Sequence, residues 1–238
     1  MLKKILIIKA GKKLPSLSNV EGDFEDWIIA GMGLTDQKTE VIPVFEGSRL
    51  SDQQQYMAVV ITGSGTMVTD HDDWIEEVAG WLRTAVTLNI PVLGICFGHQ
   101  LLAYALGGEI AANPVGIEVG TVVANITDDA KDDVLLGGSQ KLNVQASHRQ
   151  YVRRLPEQAV CLAKTELDQH HAYRVGDRCW GLQFHPEFNA EITRHYVQYY
   201  KADLLSAKRD VNAMLSACDD TLRAKQCLKR FAKFLEQT

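Results

Sequence analysis

Four apolar runs, at residues 4–10, 40–45, 56–62 and 91–95, alternate with segments of helical spacing through the first hundred residues. Each run is nearly continuous rather than alternating, as a strand is when both faces of its sheet are covered. Between them, residues 21–33 place Phe24, Trp27, Ile28 and Met32 on one side of a helix. Residues 72–88 do the same with Trp74, Val78, Trp81, Leu82 and Ala85. Residues 98–106 form a third helix, closed by Gly107-Gly108. Strand–helix alternation of this kind implies a mostly parallel central sheet with helices on both faces.

The second half changes character. Short strands are expected at 119–127, 141–145, 160–165, 172–175 and 179–184, with Gly176-Asp177 turning a hairpin between the last two. They predict a mixed or antiparallel extension of the sheet. From residue 189 the chain reads as helical, with breaks near Ser206 and Asp219. In the last helix, Lys225, Lys229, Arg230 and Lys233 are expected to face solvent, and Leu222, Leu228, Phe231 and Leu235 to pack. No Pro/Gly/Ser-rich linker divides the chain. The reading is a single α/β domain over 1–205, with 206–238 a C-terminal helical extension packed on it.

Composition narrows the function. The chain has 238 residues, 46% hydrophobic and 23% charged, enough for a full core without staples. A net charge of −5 argues against a non-specific nucleic-acid binder. No apolar run approaches the roughly 18 residues of a membrane span. The start, Met1-Leu2-Lys3-Lys4, precedes an apolar stretch too short for a signal peptide and reads as part of a first strand. The five cysteines (Cys96, Cys161, Cys179, Cys218, Cys227) are odd in number and form no C-x-x-C. Neither a disulfide framework nor a zinc site is expected, and reduced thiols without an export signal point to the cytoplasm. Asp70-His71-Asp72-Asp73 reads as a helix start with an acidic first turn rather than a metal site, and His170-His171 as solvated.

The chemistry lies in Gly94-Ile95-Cys96-Phe97-Gly98-His99-Gln100. A strand runs into a helix through G-x-C-x-G, a nucleophile elbow with Cys in place of Ser. The turn is sharp, and side chains two residues to either side of the nucleophile would collide. At a helix N-terminus the dipole and free N–H groups favour a thiolate. The alternative is a buried Cys in a glycine-rich turn. A thiolate nucleophile needs a base oriented by a third group. His185-Pro186-Glu187 supplies one, since a strand ends at His185 and the proline turn brings Glu187 back beside it. A satisfied core histidine is the ordinary reading of His185 alone; the elbow Cys argues otherwise.

Together, G-I-C-F-G-H-Q and H-P-E resemble the class I, triad-type glutamine amidotransferases. The form most resembled is the stand-alone chain similar to the amidotransferase part of GMP synthase, and order and spacing agree from residue 3 to about 205. The resemblance implies a flavodoxin-like fold and a triad of Cys96, His185 and Glu187. It implies an oxyanion hole from the backbone N–H groups of Ser64 and Phe97, and substrate contacts from Gly63, Gln100, Ser147 and His148. It implies no metal and no organic cofactor. Asn113-Pro114 and Glu118-Val119-Gly120 also fall in family-like places. Two departures stand out. The family's Gly-Gly-Pro turn is Gly63-Ser64-Gly65 here, whose two glycines permit more than one conformation. The family's S-H-G-D is Ser147-His148-Arg149-Gln150.

Three readings follow. The first is a glutaminase that releases ammonia from L-glutamine for a separate acceptor synthetase, since no P-loop is present. The second is a stand-alone hydrolase of γ-glutamyl amides. The third is a non-catalytic binding protein on the same fold, against which the intact Cys96, His185 and Glu187 count.

Overall fold

The apolar runs become adjacent strands. In the computed structural model, which describes residues 3–237, β1 (Lys4–Lys9), β2 (Thr39–Pro43), β3 (Tyr56–Ile61) and β4 (Val92–Ile95) pair in parallel in the order β2-β1-β3-β4. Met1 and Leu2 lie outside the described residues. Helix α1 (Phe24–Met32) follows β1, α2 (Asp73–Thr87) follows β3, and α3 (Phe97–Ala105) follows β4.

Local signals explain these helices. Asp23 and Asp26 form a capping box at the start of α1, and Gly33 ends it in the left-handed region at φ 73°. Helix α2 buries Ile75, Val78, Ala79, Leu82 and Ala85, leaving Trp74 and Trp81 half-buried. Its first turn carries Asp73 and Glu76, but the Asp72 side chain makes no capping bond. Asp72 instead receives the Ile75 and Glu76 N–H groups on its carbonyl.

The remaining strands are β5 (Glu109–Ala112), β6 (Glu118–Ile126), β7 (Lys141–His148), β8 (Gln150–Arg154), β9 (Ala159–Lys164), β10 (Ala172–Val175) and β11 (Cys179–Leu182). Five of them complete a nine-stranded sheet, β2-β1-β3-β4-β11-β10-β9-β6-β7. Strand β11 is the hinge of the topology. It pairs parallel to β4, with Leu182 opposite Ile95, and antiparallel to β10. The expected antiparallel extension is therefore β10, β9, β6 and β7.

Two strands escaped the sequence reading. Strands β5 and β8 form a separate two-stranded sheet. Ser147 and His148 are the end of β7, because the β6–β7 ladder continues to the Glu118–His148 pair. The expected strand at 141–145 is correspondingly longer.

Side-chain alternation splits the core between the two faces. Ile5, Ile7, Ala58, Val60, Leu93, Ile95, Trp180 and Leu182 face α1 and the last helix. Leu6, Ile8, Val59, Ile61, Val92 and Cys179 face α2 and α3. A third cluster joins Leu17, Phe24, Phe188, Ile192, Tyr196 and Leu204 at the site end of the sheet.

The helical C-terminus is broken into α4 (Ala190–Tyr199), α5 (Lys201–Ser206), α6 (Val211–Ala217) and α7 (Leu222–Leu235). Helix α7 buries Ala224, Cys227, Leu228, Phe231 and Leu235. Leu222 is 69% exposed, contrary to the sequence expectation, because it lies on the opposite side of α7 from Phe231 and the other buried residues. Arg230 is also drawn inward, donating to the Leu135 and Gly137 carbonyls at 2.9 and 3.0 Å. No helix among the described residues is long and apolar enough to cross a membrane.

Candidate active site

The site lies where β4 and β11 end side by side. Cys96 leaves β4 with φ 51° and ψ −101°, a conformation non-glycine residues rarely adopt. The strain is held from both sides. The Cys96 N–H donates to the Leu182 carbonyl at 2.8 Å, extending the β4–β11 ladder, and the Cys96 carbonyl receives the Gln100 N–H at 3.1 Å. The flanking glycines have the steric role that the motif implies. A Cβ on Gly94 would sit on the Gly98 carbonyl, and one on Gly98 would stand 2.5 Å from the Ile61 carbonyl oxygen. Strand, elbow and helix can approach this closely only without those atoms.

His185 follows β11 by three residues. Its N–H donates to the Gln145 carbonyl on β7 at 2.8 Å. The imidazole stacks on Phe188, with centroids 3.9 Å apart and planes 8° apart, and Phe24 stands 6.0 Å from both rings. The Nδ1–H donates to Glu187 Oε1 at 2.6 Å. The Cys96 sulfur lies close enough for its charge to act on the ring. Burial opposes the charged ring, but the Glu187 carboxylate, and after it Cys96, raise its pKa to about 10. The ring is therefore an imidazolium at neutral pH. The Cys96 sulfur also lies 3.6 Å from the Ser147 carbonyl oxygen.

A narrow cleft opens over Cys96. Its floor and walls are Phe97 and Gln100 from α3, Ser64–Met67 from the turn after β3, Ser147–Gln150 from the β7–β8 junction, and Tyr200. Phe97 is the first residue of α3 and stacks on Trp74 at 5.5 Å. In the Gly63-Ser64-Gly65 turn, Ser64 Oγ accepts the Thr66 N–H at 3.0 Å. Neither glycine has a positive φ. Gly63 is required for another reason: a Cβ there would stand 2.9 Å from His185 Cε1.

Not every expected substrate contact is available as a polar group. Gln100 Nε2 donates to the Gln150 carbonyl at 2.9 Å and to Gln183 Oε1 at 3.0 Å. The His148 ring points away from the cleft; its side chain is 1% exposed. Ser147 Oγ is buried and has no partner among the described residues.

Beneath His148 lies a group of buried ionisable residues that the sequence reading did not assemble. His148 Nε2 is 2.9 Å from Glu118 Oε2, and Nδ1 is 2.8 Å from the Gln150 carbonyl. His171 Nδ1 lies 3.5 Å from Glu118 Oε2 and 3.4 Å from Asp168 Oδ2. His171, expected in solvent, is fully buried because it enters β10 on the inward side, against Phe184. His99 on α3 is also fully buried, and burial drives its pKa down to about 3, so it is neutral. The only sequence signal for the group was the spacing of Glu118 and Ser147-His148, which become opposed rungs of β6 and β7.

At the mouth, Arg149 donates to Asp203 Oδ2 at 2.6 Å and lies over the Tyr200 ring at 4.9 Å. The other cysteines are chemically quiet. Burial pushes the Cys179 and Cys227 thiols up to about 12. Burial also raises Cys161 and Cys218.

Residues 17–202 match the family described as "Glutamine amidotransferase class-I". A Saccharomyces cerevisiae protein assigned by name to the glutamine amidotransferases is 34% identical over 152 residues, 61% of this chain and 59% of that one. Gamma-glutamyl peptidase 5 of Arabidopsis thaliana is 28% identical over 176 residues, 72% of this chain and 70% of that one. The glutamine-hydrolyzing GMP synthase of Bacteroides fragilis is 33% identical over 159 residues, 64% of this chain but 29% of the synthase. Among solved structures, a glutamine amidotransferase of Methylobacillus flagellatus superposes with a TM-score of 0.79 at 23% identity, over 100% of this chain and 95% of that one. That likeness bears on the fold.

Proposed function

This chain belongs to the class-I glutamine amidotransferase family, and from that membership we propose that it hydrolyses the side-chain amide of L-glutamine through a thioester on Cys96. The observation that carries the proposal is the buried His185 ring, bonded to Glu187 and within electrostatic reach of Cys96 at a nucleophile elbow.

The chemistry follows from the charges. Cys96 attacks the amide carbon as a thiolate, its proton held by His185. Negative charge moves to the amide oxygen, where the Phe97 N–H at the head of α3 and the Ser64 N–H stabilise it; one such donor is worth about 3 kcal/mol. The tetrahedral species expels nitrogen, and His185 delivers the proton that lets it leave as ammonia. A γ-glutamyl thioester remains. His185, now neutral, takes a proton from water; hydroxide adds to the thioester carbon, and glutamate departs as the Cys96 thiolate re-forms. Glu187 fixes the ring tautomer and offsets the imidazolium charge throughout. A separate synthetase that consumes the ammonia completes this reading.

A second reading has specific support. The cleft mouth carries Arg149, a cation placed to meet the carboxylate of a γ-glutamyl peptide, and an Arabidopsis relative named a gamma-glutamyl peptidase aligns over 72% of this chain.

One assay separates them. Glutamate release is followed from L-glutamine and from a γ-glutamyl dipeptide, with parent protein and Cys96→Ala. Release from glutamine by the parent alone supports the glutaminase. Release from the dipeptide alone establishes the peptidase. No release from either, with or without a cell extract, removes both.

A further inference from the structure

Both ring nitrogens of His148 face acceptors. Nδ1 meets the Gln150 backbone carbonyl at 2.8 Å, and Nε2 meets Glu118 Oε2 at 2.9 Å. A backbone carbonyl has no proton to give, so Nδ1 carries one. A second proton at Nε2 makes the contact to Glu118 a charge-assisted bond. The ring then has no lone pair left. Glu118, His148 and His171 offer atoms within 4.8 Å of one another, a plausible metal nest by proximity alone. A doubly protonated His148 cannot serve it.

We propose that Glu118 and His148 form a second buried carboxylate–imidazolium pair that acts on Cys96 from behind, placing positive charge near the thiolate. Ser147 precedes His148 on β7, and its carbonyl oxygen lies 3.6 Å from the sulfur. Glu118 sits opposite His148 in the β6–β7 ladder, so the pair is fixed by strand register.

The electrostatics agree with the geometry. Burial opposes charge on His148, but the Glu118 hydrogen bond, then the charges of Glu118, Asp168 and Cys96, raise its pKa above the usual value. Burial likewise opposes ionised Glu118, and His148 and His171 hold its pKa below the ordinary range. The groups facing the pair are Asp168 and His171 from the β9–β10 connection, neutral His99 from α3, and Cys96. The sulfur is faced in addition by His185, Tyr196 and Tyr200. His148 is a positioning residue: its nitrogens touch neither sulfur nor cleft.

This inference rests on Cys96 being the nucleophile, and the test keeps the two apart. Iodoacetamide alkylation of Cys96 is followed by mass spectrometry between pH 5 and 10 in the parent, Glu118→Gln, Glu118→Asp and His148→Gln. Without its carboxylate, His148 loses its proton at neutral pH and the cation behind the sulfur disappears. The alkylation midpoint then moves upward by about 0.5–1 pH unit in Glu118→Gln and His148→Gln, with substantial recovery in Glu118→Asp. A merely structural role would lower the melting temperature and leave the midpoint alone. An unchanged midpoint in folded Glu118→Gln overturns the inference. If the parent is not alkylated selectively at Cys96, the nucleophile assignment fails instead. The parent also gives a readout that needs no variant: the imidazole nitrogen resonances of His148 show two protonated nitrogens at pH 7.5. A neutral single tautomer there, or one equivalent of divalent metal in the purified protein, would refute the pair.

Discussion

Gly63 and His185 touch where a side chain at 63 would be: its Cβ would stand 2.9 Å from His185 Cε1. The imidazole cannot retreat, because Phe188 lies flat against it at 3.9 Å. Gly63→Ala therefore tilts the ring off Cys96. We expect the glutaminase kcat to fall by about 10- to 100-fold with a small change in melting temperature. Parent-like kcat would show that the ring accommodates the methyl group.

The elbow makes an unusual pairing of stability and activity. Cys96 holds φ 51° at a cost of about 1–3 kcal/mol. Cys96→Gly removes both the nucleophile and the strain. Its urea midpoint should equal or exceed that of the parent while amide hydrolysis disappears. Cys96→Ala, which keeps the Cβ, should be equally inactive without the gain. A clearly destabilised Cys96→Gly would mean that sulfur packing outweighs the backbone term.

His185 links stability to pH. Its pKa in the folded chain is about 10, against about 6.5 when unfolded. The folded state holds the proton more tightly, so this stabilisation is fully present below about pH 6.5 and is lost as pH rises through about 10. Glu187→Gln removes the charge that raises the pKa. The difference in stability between parent and Glu187→Gln should shrink steadily from pH 7 to pH 10 in paired urea titrations. A difference that grows over that window would reverse the assigned charge state.

Arg149 decides the leaving side of the cleft under the peptidase reading. It is tethered by Asp203 and stacked on Tyr200, which aims the guanidinium and limits its freedom. Arg149→Ala should raise KM for a γ-glutamyl dipeptide by about tenfold while changing kcat little. Amidation of the dipeptide's terminal carboxylate should abolish the difference between parent and variant. Equal KM values for parent and variant would leave Arg149 as a surface residue.

The parallel half and the elbow were legible because their signals are local. Residues 92–100 contain the strand, the turn glycines and the helix start in one stretch, and each glycine has a steric reason within it. His185 and Glu187 were legible for the same reason, two residues apart across a proline. The Glu118–His148–His171 group was not, because three separate strands and connections bring it together. His171 is buried against Phe184, and nothing beside it in sequence announces that neighbour. Strand β5 reads Glu-Ile-Ala-Ala, with little β-propensity of its own, and exists through its pairing with β8. Leu222 misled in the opposite direction: it is apolar, but at 100° per residue it lies opposite Phe231, on the side of Lys225 and Lys229.

Cys96 and His185 emerge from neighbouring rungs, with Leu182 opposite Ile95 in β11 and β4. Their separation is thus metered by peptide hydrogen bonds and not by the pose of a flexible segment. The ladder has strands on both sides, so fraying at the rim of the sheet does not reach it. On heating, the jaws of the site stay aligned until the middle of the molecule comes apart. Inactivation should then trace the global melting curve instead of running ahead of it, and the protein should pass from fully competent to fully silent with no impaired form between.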